Sequence, residues 1–128
     1  MTYEDKELLL QDLSARLPYG VMCNIGLKYP LQLQRIFVDR LDGILLDFYE
    51  DGDDYQVYLS EVKPYLRPMS IPWTEEEAEE FAEFDVYADG DYIIPNYQAI
   101  EWLNKHHLDY RGLIEKGLAL EAPEGMYK

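Results

Sequence analysis

Residues 31–59 read LQLQRIFVDRLDGILLDFYEDGDDYQVYL, three strand-like runs divided by two acidic turns. Leu31 to Leu41 is a long extended run, and Asp42-Gly43 separates it from the apolar Ile44-Leu45-Leu46. A second acidic turn, Glu50-Asp51-Gly52-Asp53-Asp54, leads into Tyr55-Gln56-Val57-Tyr58-Leu59. Asp42-Gly43 between its two runs favours a tight hairpin there, because both central residues of a type I′ turn need positive φ. Val21 to Ile25 reads as a short strand ahead of them. Phe84 to Ile94 alternates around Asp89-Gly90 and reads as one more hairpin. The prediction is an antiparallel meander of three to five strands. Pro64 and Pro68 after it fit an edge strand or an exit loop, since proline cannot donate to a ladder.

Helices flank this sheet. Thr2, with Asp5 three residues on, marks a helix start. Leu9, Leu10, Leu13 and Leu17 then recur at helical spacing until Pro18, which places a first helix over about residues 3–17. Thr74 and Glu77 form a full capping box, with Trp73 placed to staple onto Ala78. The helix they open is lined with Glu and carries only a thin apolar stripe, Ala78, Phe81 and Ala82. Asn96 is the expected cap of a helix with Ala99, Ile100, Leu103 and His107 on one side. Asp109 is the expected cap of a last short helix ending at Gly117. The tail from Leu118 to Lys128 contains Pro123 and Gly125 and reads as irregular. The fold class is therefore α+β in a single domain, 1–128: an N-terminal helix, the meander, a Glu-rich helix and a C-terminal helical pair.

At 128 residues, 48% of them hydrophobic, the chain has room for one core and is too apolar for a disordered segment. Its 12 tyrosines suit half-buried strand faces, and Tyr is also enriched at protein interfaces. One cysteine, Cys23, excludes an intramolecular disulfide, and its place in an apolar strand predicts a buried, inert thiol. The first residues lack the basic start and apolar run of a signal peptide, and no apolar stretch reaches the ~20 residues of a membrane helix. The expected location is the cytoplasm.

The net charge of −15 is unevenly spread. Residues 1–40 hold five acids and five bases, and residues 105–128 hold four of each. The whole excess falls in 41–104, where 17 acids face only Lys63 and Arg67. Nucleic-acid affinity rests on Lys and Arg displacing counterions, so direct nucleic-acid binding is not expected there. A field of that sign attracts basic protein surfaces instead. The candidate binding residues are Glu75, Glu76, Glu79, Glu80 and Glu83 on the helix and Asp51, Asp53 and Asp54 at the turn. The partner expected is a basic or DNA-binding protein, with mimicry of DNA as the sharper form.

Other constellations are weaker. With Gly52 at position 6 of a calcium loop, Asp47 and Asp51 fall at positions 1 and 5, but Tyr49 and Tyr58 occupy positions 3 and 12. With Gly90 at position 6, Asp85 and Asp89 are followed by Tyr87 and Asn96 in the same failing places. No cofactor or metal is expected. Asp47 followed by Glu61-Val62-Lys63 is the spacing of a metal-dependent nuclease core, two carboxylates for a divalent ion and a Lys for the attacking water. This is the alternative, enzymatic reading, and Pro64 and the lack of basic residues weigh against it. His106 and His107 are adjacent and so point about 100° apart on a helix, which forms no metal clasp. A helix C-terminus explains them through its dipole and free carbonyls.

Two further stretches, residues 99–120 (AIEWLNKHHLDYRGLIEKGLAL) and 61–70 (EVKPYLRPMS) leading into Thr74-Glu75-Glu76-Glu77, carry a resemblance. They are similar to segments of a family of small acidic uncharacterised proteins from gut Bacteroidetes, often found in phage-like or mobile regions. The resemblance implies a bacterial cytoplasm and a phage-related role, and it brings no catalytic residue and no mechanism with it.

Overall fold

In a computed structural model the described residues are 1–41, 43–70, 73–84, 87–89, 92–94 and 97–127. The first helix, α1 (Tyr3–Arg16), starts where the sequence predicts: the Thr2 hydroxyl accepts from the Asp5 amide, and the Asp5 carboxylate accepts from the Thr2 amide. Each such cap contributes ~1 kcal/mol. A 3₁₀ turn at Leu17–Tyr19 follows, ending on Gly20 at φ +72°.

Strands β1 (Met22–Asn24), β2 (Leu31–Asp39), β3 (Gly43–Glu50) and β4 (Asp53–Tyr58) make the meander. Its two hairpins differ. Glu50 pairs with Asp53, so Asp51 (φ +46°) and Gly52 (φ +88°) form the two-residue turn with both angles positive. In the other, Asp39 pairs with Gly43, leaving three residues between the strands rather than two; Asp42 itself lies outside the described residues. A bulge between Leu33 and Arg35 interrupts β2. Leu31 and Leu33 face the core before it, Gln34 and Arg35 both face out, and Ile36 turns back toward the core opposite Leu46.

The sheet is larger than the meander. After a 3₁₀ turn at Leu59–Glu61, β5 (Lys63–Leu66) pairs antiparallel with β1. Residues Leu120–Glu121, in the segment read as an irregular tail, form a short strand parallel to β5. With α2 (Glu75–Ala82), β6 (Tyr87–Asp89), β7 (Tyr92–Ile94) and α3 (Tyr97–Lys105) between them, this last strand is β8. The order is β4-β3-β2-β1-β5-β8, and β6 with β7 is a separate antiparallel hairpin. Gly90, the turn residue expected there, and Asn96, the expected cap of α3, lie outside the described residues. Pro64 is thus not on an edge strand. The β8 ladder begins one residue later, at Tyr65, so Pro64 is never asked to donate to β8.

Leu9 and Leu13 of α1 pack on Leu33, Leu46, Phe48, Val62 and Leu66 in the main core. Fully burying one such side chain stabilises by about 1.5–3 kcal/mol. A second cluster joins Trp102, Leu103 and Leu108 to Trp73, Phe81 and Phe84. Trp73 meets Phe81 edge-on at 5.0 Å and Trp102 at 5.3 Å, while Ala78, its expected staple partner, is exposed.

The second member of the expected C-terminal helical pair is replaced by turns. Asp109 does cap, accepting from the amides of Leu113 and Ile114, yet residues 109–117 make no helix. The helix before them ends in a Schellman motif: Leu108 N–H bonds to the Leu103 carbonyl and His107 N–H to that of Asn104. His107 takes the left-handed position usual for glycine, at φ +57°. Among the described residues, no helix is long and apolar enough to cross a membrane.

Candidate functional site

Arg67, directly after β5, anchors a wide cleft of about 820 Å³ built from several elements. One wall is α2 with Glu76, Glu77 and Glu80; the other is the segment after β8, with Glu124 and Tyr127. Arg67 donates twice to Glu77, at 2.7 and 3.1 Å, and once to the His106 carbonyl at 3.3 Å. Glu77 also closes the capping box by accepting from the Thr74 amide at 3.0 Å. The Arg67 bonds, and the Thr74 bonds behind them, outweigh burial and hold the Glu77 carboxyl down at about 2.

Glu80 is held differently. The Trp102 indole donates to it at 2.9 Å, and the His106 ring stands 3.9 Å from it. His106 leans on Trp102 with ring centroids 4.1 Å apart. Burial lowers its tendency to protonate, and Glu77 and Glu80 pull the other way without winning. Arg67, Glu77, Glu80 and His106 thus line the cleft as one bonded network, with Trp102 supporting it from behind, and further glutamates, Glu76, Glu121 and Glu124, line the cleft as well.

The predicted binding residues separate into two places. Glu75, Glu76 and Glu79 on α2 and Glu83 at its C-cap are exposed and form no ion pair among the described residues; Glu80 is exposed as well, but it accepts from the Trp102 indole and stands 3.9 Å from the His106 ring. Asp51, Asp53 and Asp54 are exposed at the β3–β4 turn. The turn belongs to one end of the strand order, and α2 is fastened beyond β5 near the other end. They do not form one continuous patch along the sheet.

The nuclease residues are not brought together. Asp47 sits on β3 and is bound by Arg35 at 2.6 Å, whereas Lys63 lies on β5 with β2 and β1 between them. Three strand spacings of ~4.8 Å put them roughly 14 Å apart along the sheet. Glu61 is exposed in the 3₁₀ turn before β5. Among the described residues no three His, Cys, Asp or Glu side chains gather as a metal site needs. Asp85, Gly90 and Asn96, from the second calcium-loop reading, lie outside the described residues.

Cys23 is buried, and burial pushes its thiol well above the usual range, as an inert core cysteine requires. The two histidines do not share a role. His107 is buried behind the cleft: its Nε2 lies 3.0 Å from the Tyr19 carbonyl and its ring stacks on Tyr127 at 3.9 Å. Burial, and secondarily the nearby Arg16, hold it down at about 4. Tyr127 in turn receives a bond from the Met22 amide and gives one to the Tyr65 carbonyl, pinning the tail across β1 and β5.

Sequence reasoning missed Arg67, His106, Trp102 and Glu124 as neighbours. The Thr74–Glu77 box was visible, but its second use, clamping Arg67, needs the chain return of α3 to be known. Compared with protein-family models, with curated proteins and with solved structures, the chain matches none.

Proposed function

We propose that the protein is a non-enzymatic binding or regulatory protein that holds a basic segment of another protein against α2 and the adjoining cleft. The observation carrying this reading is the set Glu75, Glu76, Glu79 and Glu83, exposed and without ion-pair partners among the described residues, beside a cleft rimmed by further glutamates. Charge left unpaired on a rigid element attracts a partner of opposite sign and speeds encounter, with an effect that salt weakens. The internal bonds of Glu77 and Glu80 supply the rigidity. A DNA-binding protein is the narrower form of the partner, because the surface it uses for phosphates is already basic. In a bacterial cytoplasm, a role tied to phage or mobile elements fits such capture.

The test is capture from bacterial lysate on immobilised protein at low salt, with elution by a salt gradient. Basic proteins should elute as salt rises, and a column carrying the Glu75/Glu76/Glu79/Glu83→Gln variant should lose them. A lysate with no salt-sensitive partner, or equal capture by both columns, overturns the proposal.

A further inference from the structure

β4 ends the strand order, and no described strand pairs with its outer side. Its hairpin closes on the Glu50–Asp53 pair through a two-residue turn. In such a hairpin the closing pair exchanges backbone bonds, and bonded and non-bonded pairs then alternate. Asp53, Tyr55 and Val57 therefore bond to β3, and Asp54, Gln56 and Tyr58 point their N–H and C=O groups outward. The side chains of these three residues are exposed, while Tyr55 and Val57 pack against the core.

Natural edges are commonly blocked by charged side chains, Lys above all, by Pro, by a bulge or by a covering loop, and the charges of β4, Asp53 and Asp54, sit only at its turn end. β4 has no Lys or Pro, and its ladder with β3 runs without a register shift. Between Arg40 and Lys63 the chain carries no Lys or Arg, and Asp51, Asp53 and Asp54 crowd the start of the strand. Tyr49 and Tyr58 are exposed nearby, 56% and 46%, offering ring faces that cations favour.

We infer that the β4 edge is a second interaction surface, which takes an extended, Lys- or Arg-bearing segment of a partner protein as an added strand. Main-chain bonds at Asp54, Gln56 and Tyr58 give the pairing, and the acidic turn selects a cationic sequence. This site is distinct from α2, and it shares with the reading above only the sign of the partner's charge.

The test uses a synthetic peptide, acetyl-Lys-Thr-Lys-Val-Lys-Thr-Lys-amide, titrated into the isotopically labelled full chain. The amides of Asp54, Gln56 and Tyr58 should become protected from exchange, with those of Tyr55 and Val57 unchanged. Two N-methylated versions, blocked at alternate sets of backbone nitrogens, should diverge. One set should weaken binding about tenfold or more, as the loss of two or three hydrogen bonds requires, and the other should bind as the parent does. Asp53→Asn with Asp54→Asn should weaken the parent peptide several-fold without altering the hairpin's own amide exchange, and the α2 glutamine variant should bind it unchanged. Equal binding of both methylated peptides, or loss of binding in the α2 variant, overturns strand addition at β4. A dimer in sedimentation, with the same amides protected in the absence of peptide, replaces the proposed partner by a second copy and overturns it as well.

Discussion

Asp12 and Arg16 are fully buried on α1, whereas Glu75, Glu76 and Glu79 on α2 and Glu83 at its C-cap stand in solvent. The first pair belongs to the charge-balanced flanks of the chain. Arg16 reaches Asp12 at 3.0 Å and the Leu108 carbonyl at 2.6 Å, and Arg111 closes on the other Asp12 oxygen at 2.8 Å. Residues from the two ends of the sequence thus neutralise one another inside the fold, where an uncompensated charge would be very costly. The middle segment has almost no bases to spend. Arg67 is taken by Glu77, Asp47 borrows Arg35 from the flank, and among the described residues Asp51, Asp53, Asp54, Glu75, Glu76, Glu79 and Glu83 are exposed without an ion pair. Balance in one region builds structure; imbalance in the other leaves free charge.

The largest expected effect comes from breaking the buried network. Arg16→Met should destabilise by about 3 kcal/mol or more, measured by urea unfolding, because it leaves the buried Leu108 carbonyl without its donor and the buried Asp12 with Arg111 alone. Asp12→Leu combined with Arg16→Met should recover most of that loss, because Arg111 is partly exposed and can turn to water. A double variant as unstable as the single would mean that the network does more than neutralise.

Acid should act on the same region next. The unfolded chain protonates a histidine near 6.5, and His107 in the fold only near 4. Its contribution is complete above pH 6.5 and is lost as pH falls toward 4, about 3 kcal/mol in all. Stability measured across that range should fall in the wild type and stay flatter in His107→Gln. Glu77 loses its contribution lower still, as pH falls below the ordinary carboxylate range toward 2.

Smaller effects belong to the boundary between the regions. Glu77→Gln removes the charge from the Arg67 clamp and should cost about 1–2 kcal/mol, as a charge-assisted, partly buried bond does. Replacing Glu75, Glu76, Glu79 and Glu83 by Gln should change stability least, within about 0.5 kcal/mol per site, since surface changes seldom do more.

Much of this was legible in advance. The caps at Thr2 and Thr74, the leucine spacing of α1 and the Asp51-Gly52 turn are local signals, and each appears where its chemistry requires. What the sequence hid is long-range. β8 is two residues with no period to read, and it exists because Leu66 and Tyr65 offer an edge next to it. The helix expected over 109–117 yields to turns once Asp109 takes both Leu113 and Ile114 amides and its own amide bonds to the Arg67 carbonyl. The buried ion pair did leave a trace: Asp12 and Arg16 fall at the same helical spacing as Leu9 and Leu13, on the core face. Of the candidate site, the acidic residues were readable as composition. Their division between α2 and the β3–β4 turn, and the holding of Glu77 and Glu80, depend on strand order and on α3.

The most direct measurement is the affinity of a fluorescent Lys/Arg-rich peptide for the wild type and for the Glu75/Glu76/Glu79/Glu83→Gln variant, taken with the urea midpoint of each. The account predicts at least about tenfold weaker binding with the midpoint nearly unmoved, a difference that closes as salt screens the charges. Equal affinities, or a midpoint that falls along with binding, would contradict it.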